Sequence, residues 1–268
     1  MTLRTKMILM ICVTCALSIA ALFFIQQTIL AKRFSRLEQE NTSQNLARAT
    51  SAVLEDVSSV DTTVGDWAPW DDTYVFVQDG NTDYIANNLN DETLSNLGMN
   101  IMLFINNAGE LVYGKAFDLE NEAETPLPSS VLDLVASGSP LMGLIGEQDS
   151  VSGILSLPEG PLLIAAQPIL TSQKQGPIQG TLIMGRNLDS AEVARLADLT
   201  HLSLIVYQPN DDNMPADFQL AQSSLSEEQP TFFHPLSSDS VAGYGLLTDI
   251  HRERTRRCHQ DDSPQVRR

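Results

Sequence analysis

Cysteine is nearly missing from this chain. Of three in 268 residues, Cys12 and Cys15 sit in an apolar opening run and Cys258 sits near the end, so the stretch between them can form no disulfide and no cysteine-ligated metal centre. Basic residues are as scarce. From Leu37 to Asp249 there are 31 Asp or Glu against five cations, Arg48, Lys115, Lys174, Arg186 and Arg195. Such a surface repels a phosphate backbone, which excludes nucleic acid as a partner. Catalytic signatures are lacking too: there is no G-x-S-x-G elbow, no H-E-x-x-H, no P-loop and no dinucleotide fingerprint. Asp61, Asp66, Asp71 and Asp72 do not follow a calcium-loop spacing, and His201 and His234 are too few for zinc. The reading is therefore no enzyme, no metal and no cofactor.

What is present begins with a greasy segment. Residues 7–30 carry no charge and exceed the roughly 20 apolar residues a bilayer requires, and no small-x-small cleavage site follows Phe24. The expectation is a retained signal anchor in the inner or plasma membrane, with residues 1–6 as a cytoplasmic stub and the bulk of the chain extracytoplasmic. Arg4 and Lys6 before the span, and Lys32, Arg33 and Arg36 after it, leave the positive-inside rule nearly silent. Inside such a span, Cys12 and Cys15 read as small packing residues.

Residues 31–65 read as a long juxtamembrane helix. Leu46, Ala49, Val53, Val57, Val60, Val64 and Trp67 recur at steps of three and four, and neither Pro nor Gly interrupts Lys32 to Val64. That stripe suits either the helix's own domain or a homodimer through the helix. Residues 66–250 then form one acidic domain. Short helices or turns, with a weak strand at Tyr74 to Val77, precede strands at 101–105, 110–117, 153–157, 162–170, 180–186, 202–207 and 241–250. Helices fall at 130–135 and 189–199, and 208–229 reads as a long exposed loop. The fold class is α+β, a meandering antiparallel sheet with small flanking helices. Residues 251–268, rich in Arg, read as a disordered tail. It is either a basic surface tag or the product of a frameshift.

From Asp66 to Leu204 an ordered set of features resembles the CHASE sensor domain of the fourth subtype. It comprises Trp67, Trp70, Asp71, Asp72 and Tyr74, then Tyr84-Ile85, Asn88-Leu89, Gly98 and Asn100. The hairpin Asn107 to Val112, Lys115, Asp118, Gly180, Gly185, Arg186 and Leu188 complete it. The resemblance implies a PAS-like or Cache-like sheet behind a long amino-terminal helix, set between two membrane spans. It also implies a histidine kinase, diguanylate cyclase or phosphodiesterase output. This chain carries no second span and no output motif, so the expectation is a sensory input module truncated before its output. The alternative is a stand-alone anchored binding or scaffold protein, with a tethered enzyme last.

The candidate ligand residues are Trp67, Trp70, Asp71, Asp72, Tyr74, Asn100 and Arg186. The aromatic faces and carboxylates suit a cationic amine, and Arg186 suits a carboxylate, so an amine or amino acid answers both halves. A structural alternative applies to each: turn aromatics fill core edges, an aspartate caps a helix, and Arg186 pairs with one of the acids.

Overall fold

A computed structural model describes residues 3–136, 141, 146, 149–209, 211, 213–226, 229–237, 240–250 and 254–261. Side chains at 5, 6, 8, 9, 11–13, 16, 24–36, 135, 136 and 254–261 also lie outside the description. The helix expected over 31–65 is part of a single element, α1 (Leu3–Trp67). It runs past Gly65, where the amide of Gln167 fills the space that a Cβ would take, 3.1 Å away. Pro69 follows directly, and the last helical bond runs from the Ala68 N–H to the Val64 carbonyl. Among the described residues no helix is long and apolar enough to cross a membrane. In the run 7–30 expected to span, the side chains at 8, 9, 11–13, 16 and 24–30 lie outside the description.

Three short helices follow: α2 (Asp71–Asp79), α3 (Thr82–Asn88) and α4 (Asp91–Leu97). The strand expected at Tyr74 to Val77 is instead the middle of α2. Asp71 and Asp72 favour its first turn, Gly80 closes it in the left-handed conformation, and Thr73, Phe76 and Val77 share its buried face. Asn81 and Asn90 cap α3 and α4 by accepting from the N–H groups of Tyr84 and Thr93.

The expected single sheet is two. The first holds β1 (Ile101–Asn106), β2 (Leu111–Asp118), β3 (Ala123–Thr125), β4 (Val151–Leu157), β5 (Gly160–Ile169) and β6 (Gly180–Asn187) in the order β3-β2-β1-β6-β5-β4. Helix α5 (Ser129–Ala136) lies between β3 and β4 in sequence, and α6 (Ser190–Thr200) follows β6. The second sheet holds β7 (Ser203–Tyr207), β8 (Thr231–Pro235), β9 (Val241–Thr248) and β10 (Arg254–Asp261) in the order β7-β10-β9-β8. Helix α7 (Ala216–Ser224) packs Phe218 and Ala221 with Met214, Leu225 and Tyr244 into a separate small core. The 208–229 stretch expected to be an exposed loop therefore carries a helix with one buried edge, Phe218 and Ala221, whose apolar positions are diluted by Asp, Gln and Ser. The tail expected to be disordered carries β10, whose backbone pairs with β7 on one side and β9 on the other. Ladder hydrogen bonds on both edges hold a strand that composition alone would leave unfolded.

Helix α1 lies against both sheets. Its upper half buries Val53, Val57, Val60 and Val64 on the first sheet with Leu163, Ala165 and Met184, while Thr42 and Leu46 meet Gly243 and Gly245 of β9. The apolar stripe is thus spent on the helix's own domain.

Candidate functional site

Asp61, on the last turns of α1, organises one end of the first sheet. Its Oδ1 accepts from Ser150 Oγ at 2.5 Å and from Gln167 Nε2 at 2.9 Å, and Gln167 Nε2 also donates to the Asp61 carbonyl at 2.9 Å. Beside this knot is a cavity of about 280 Å³ lined by Pro69, Asp149, Ser150, Gln167, Leu170 and Lys174. Such a volume lies at the small end of ligand pockets. Lys174 sits in the left-handed region at φ 53°, which turns the 171–177 loop sharply. Among the described residues it has no ion-pair partner, whereas the Asp149 carboxylate already accepts from the Gly146 N–H.

Several residues singled out from the sequence hold this loop in place. Asp71 Oδ1 accepts from the Ser172 N–H at 2.9 Å, and these Ser172 hydrogen bonds keep the Asp71 carboxyl below the usual range. The Tyr74 hydroxyl donates to the Pro177 carbonyl at 3.3 Å and accepts from Gln179 Nε2 at 3.1 Å. Trp67 and Trp70 flank Pro69 and stack with ring centroids 4.9 Å apart, Trp67 half-buried and Trp70 40 % exposed. Asp72 is exposed. Burial, with the Asp72 charge adding, pushes the Tyr84 phenol up to about 12, against the 2.6 Å bond to Thr73.

Asn100 and Arg186 do not join them. They sit at the opposite end of β6, six residues from Gly180 and therefore on the order of 20 Å along the strand. Arg186 Nε donates 2.7 Å to the Gly98 carbonyl, and Nη1 lies 3.8 Å from Asp56 Oδ1. Asn100 is buried, donating to the Phe117 carbonyl at 3.0 Å and accepting from the Asn187 N–H at 2.9 Å. Both tie the α4–β1 connection to β6. The seven residues therefore do not form one site, and the cation that lines the cavity is Lys174. Sequence reasoning missed Ser150, Gln167 and Lys174. The signal for Gln167 was a lone amide in the apolar run of β5, and for Lys174 its place among five cations in an acidic domain.

Residues 52–207 match the CHASE4 domain. Over 211 residues the chain is 35% identical to the methanogenesis regulatory histidine kinase FilI of Methanothrix harundinacea (strain 6Ac). The alignment covers 78% of this chain and 24% of that protein, so the chain spans about a quarter of that relative's length. The fold is similar to the extracellular domain of the putative histidine kinase vpHK1S-Z8, with a TM-score of 0.53 and 12% identity over 83% of this chain and 90% of that one. It is also similar to a domain of a putative sensory box/GGDEF family protein from Vibrio parahaemolyticus, with a TM-score of 0.54 and 13% identity over 83% and 95% of the two chains. Spanning well over half of its length, this match shows that the chain belongs to the CHASE4 family of sensor domains.

Proposed function

We propose that this chain is the extracytoplasmic input half of a membrane-anchored receptor, and that a small zwitterion such as an amino acid, or a simple amine, occupies the cavity beside Asp61. The observation that carries the reading is the cavity's composition. Lys174, which has no ion-pair partner among the described residues, and Asp149 both line it, together with the hydrogen-bonding side chains of Ser150 and Gln167. A ligand there touches Pro69 and the Asp61 knot, so it bears directly on the end of α1. The membrane anchor rests on the other end of that helix. Met10, Leu17, Ile19, Leu22 and Phe23 are large apolar side chains left exposed, an arrangement suited to lipid and costly in water. By likeness to the histidine kinase of which it matches a quarter, the intact receptor passes its signal to a kinase.

The test is thermal unfolding of the full chain in detergent micelles against single amino acids, simple amines and small carboxylates. A compound present at about 100 times its dissociation constant adds about 2.7 kcal/mol of stability. That shift is expected for at least one zwitterion or amine and is expected to vanish in Lys174→Ala and Gln167→Ala. If no compound raises the midpoint, or the variants respond like the parent, the ligand reading fails.

A further inference from the structure

Asp61 takes up both hydrogens that the Gln167 side chain can give. Gln167 Nε2 donates at 2.9 Å to the Asp61 carbonyl and at 2.9 Å to Asp61 Oδ1, and an amide nitrogen carries two hydrogens only. Neither acceptor holds a hydrogen, so turning the amide over would set oxygen against oxygen. Gly65, one turn further along α1, makes room for this arrangement, because a Cβ there would stand 3.1 Å from Gln167 Nε2 and Oε1 alike. Ser150 is held in the same way. Its hydroxyl hydrogen goes to Asp61 Oδ1 at 2.5 Å. Among the described residues neither Gln167 Oε1 nor Ser150 Oγ accepts a hydrogen bond. What these two side chains can offer the cavity they line is therefore lone pairs and no donor. Lys174, in the same lining, supplies the cation.

We propose that Asp61 sets the hydrogen-bonding polarity of this cavity and through it the class of ligand: the primary ammonium group is the half that is recognised, by N–H donation to Gln167 Oε1 and Ser150 Oγ. The inference rests on the reading of the cavity as a ligand site and narrows it. Asp61 acts through its two neighbours and is a positioning residue. A carboxylate brought to the same wall would meet lone pairs with lone pairs, leaving acceptors on both sides unpaired and stripped of water. The acid end of a zwitterion goes instead to Lys174. An ammonium group brings three donors, a hydroxyl one and a methylene none. Affinity therefore follows the number of donors carried by the carbon next to the ligand's carboxylate.

The experiment is isothermal titration calorimetry of the full chain in detergent micelles with matched sets: alanine, lactate and propionate; aspartate, malate and succinate; phenylalanine, phenyllactate and phenylpropionate. Within a set that binds, the amino acid is expected to bind about tenfold tighter than the hydroxy acid, and the hydroxy acid about tenfold tighter than the deaminated acid. Asp61→Ala returns the Ser150 O–H and one Gln167 N–H to the cavity, and is expected to bring the hydroxy and deaminated acids within about twofold of each other. Asp61→Asn, whose Oδ1 can accept both bonds, is expected to restore the gap, whereas a purely structural loss would weaken every compound alike. Equal affinities across a set in the parent leave the cavity a ligand site and overturn the polarity. No binding by any of these compounds overturns the ligand reading and the inference with it. A gap that survives Asp61→Ala removes Asp61 from the selection. Where that variant does not fold, the Gln167 side-chain amide of the parent decides, with no compound added. Both its protons are expected to exchange slowly by nuclear magnetic resonance, and exchange of either at the rate of an exposed glutamine overturns the lock.

Discussion

The carboxylate of Asp249, at the end of β9, accepts a hydrogen bond from the backbone N–H of Ser156 in β4, so one buried side chain joins the two sheets. The Ile250 N–H adds a 2.8 Å bond to the Ile154 carbonyl, and Gln208 Nε2 reaches the Leu157 carbonyl at 2.8 Å. Both tryptophans lie at the end of α1 on the first sheet, so their fluorescence reports that half alone. In the parent chain, urea transitions followed by fluorescence and by far-ultraviolet circular dichroism are expected to coincide. Asp249→Ala is expected to lose roughly 2 kcal/mol and to separate the two curves. Coincident curves in the variant would show that the sheets communicate by another route.

Lys115 is 5 % exposed and donates to the Leu89 carbonyl at 3.2 Å, with Asp91 2.5 Å and Glu124 3.5 Å from its nitrogen. Burial pushes its ammonium group down, but Asp91, Tyr113 and Glu124 more than offset that and hold it above the ordinary lysine range. Its contribution is therefore present through neutral pH and lost only as pH rises past that range. Lys115→Met strands the Leu89 carbonyl and is expected to cost about 3 kcal/mol in urea titration. A loss of under about 0.5 kcal/mol would mean that the cation is merely accommodated.

Gly180 begins β6 where β1 ends, and a Cβ there would lie 2.0 Å from the Ile105 carbonyl oxygen. Backbone cannot retreat from that contact without breaking the β1–β6 ladder. Gly180→Ala is expected to abolish cooperative unfolding of the first sheet, whereas Gly109→Ala, with open space around it but a φ of 79°, is expected to cost only about 1 kcal/mol. Similar denaturation curves for the two variants would contradict the close approach.

Asp71 anchors the 171–177 loop through Ser172, whose hydroxyl first and backbone N–H second hold its carboxyl low. A depressed carboxyl contributes above the ordinary aspartate range and loses that contribution as pH falls through the lowered value. Asp71→Asn is therefore expected to speed exchange of the Ser172 amide at neutral pH and to leave it unchanged below the lowered value. Equal exchange in parent and variant at neutral pH would detach Asp71 from the loop.

Much of the scaffold could be read from periodicity. In the stripe, Leu46, Ala49, Val53, Val57, Val60 and Val64 are buried and Trp67 is half-buried, and the strands at 101–105, 110–117 and 180–186 stand within a residue or so of β1, β2 and β6. What eluded the sequence was relation rather than type. Nothing in the spacing of β4 and β9 announces that Asp249 bridges two sheets. Arg186 and Tyr74 lie on one ordered motif yet belong to opposite ends of β6. Helix α7 escaped because Met214, Phe218, Ala221 and Leu225, though helically spaced, are separated by Asp, Gln and Ser. The cavity residues escaped because a cavity is made by neighbours in space, drawn here from β5 and the loops beside it.

Thr42 and Leu46 wait on α1 for Gly243 and Gly245, about 200 positions later in the chain. During synthesis the leading helix emerges first with its valines bare, acquires one sheet midway, and finishes its lower flank only when β9 arrives. Assembly of this molecule is therefore expected to be slow and to expose a sticky surface throughout, so yield in recombinant production will hinge on late-made residues more than on early ones.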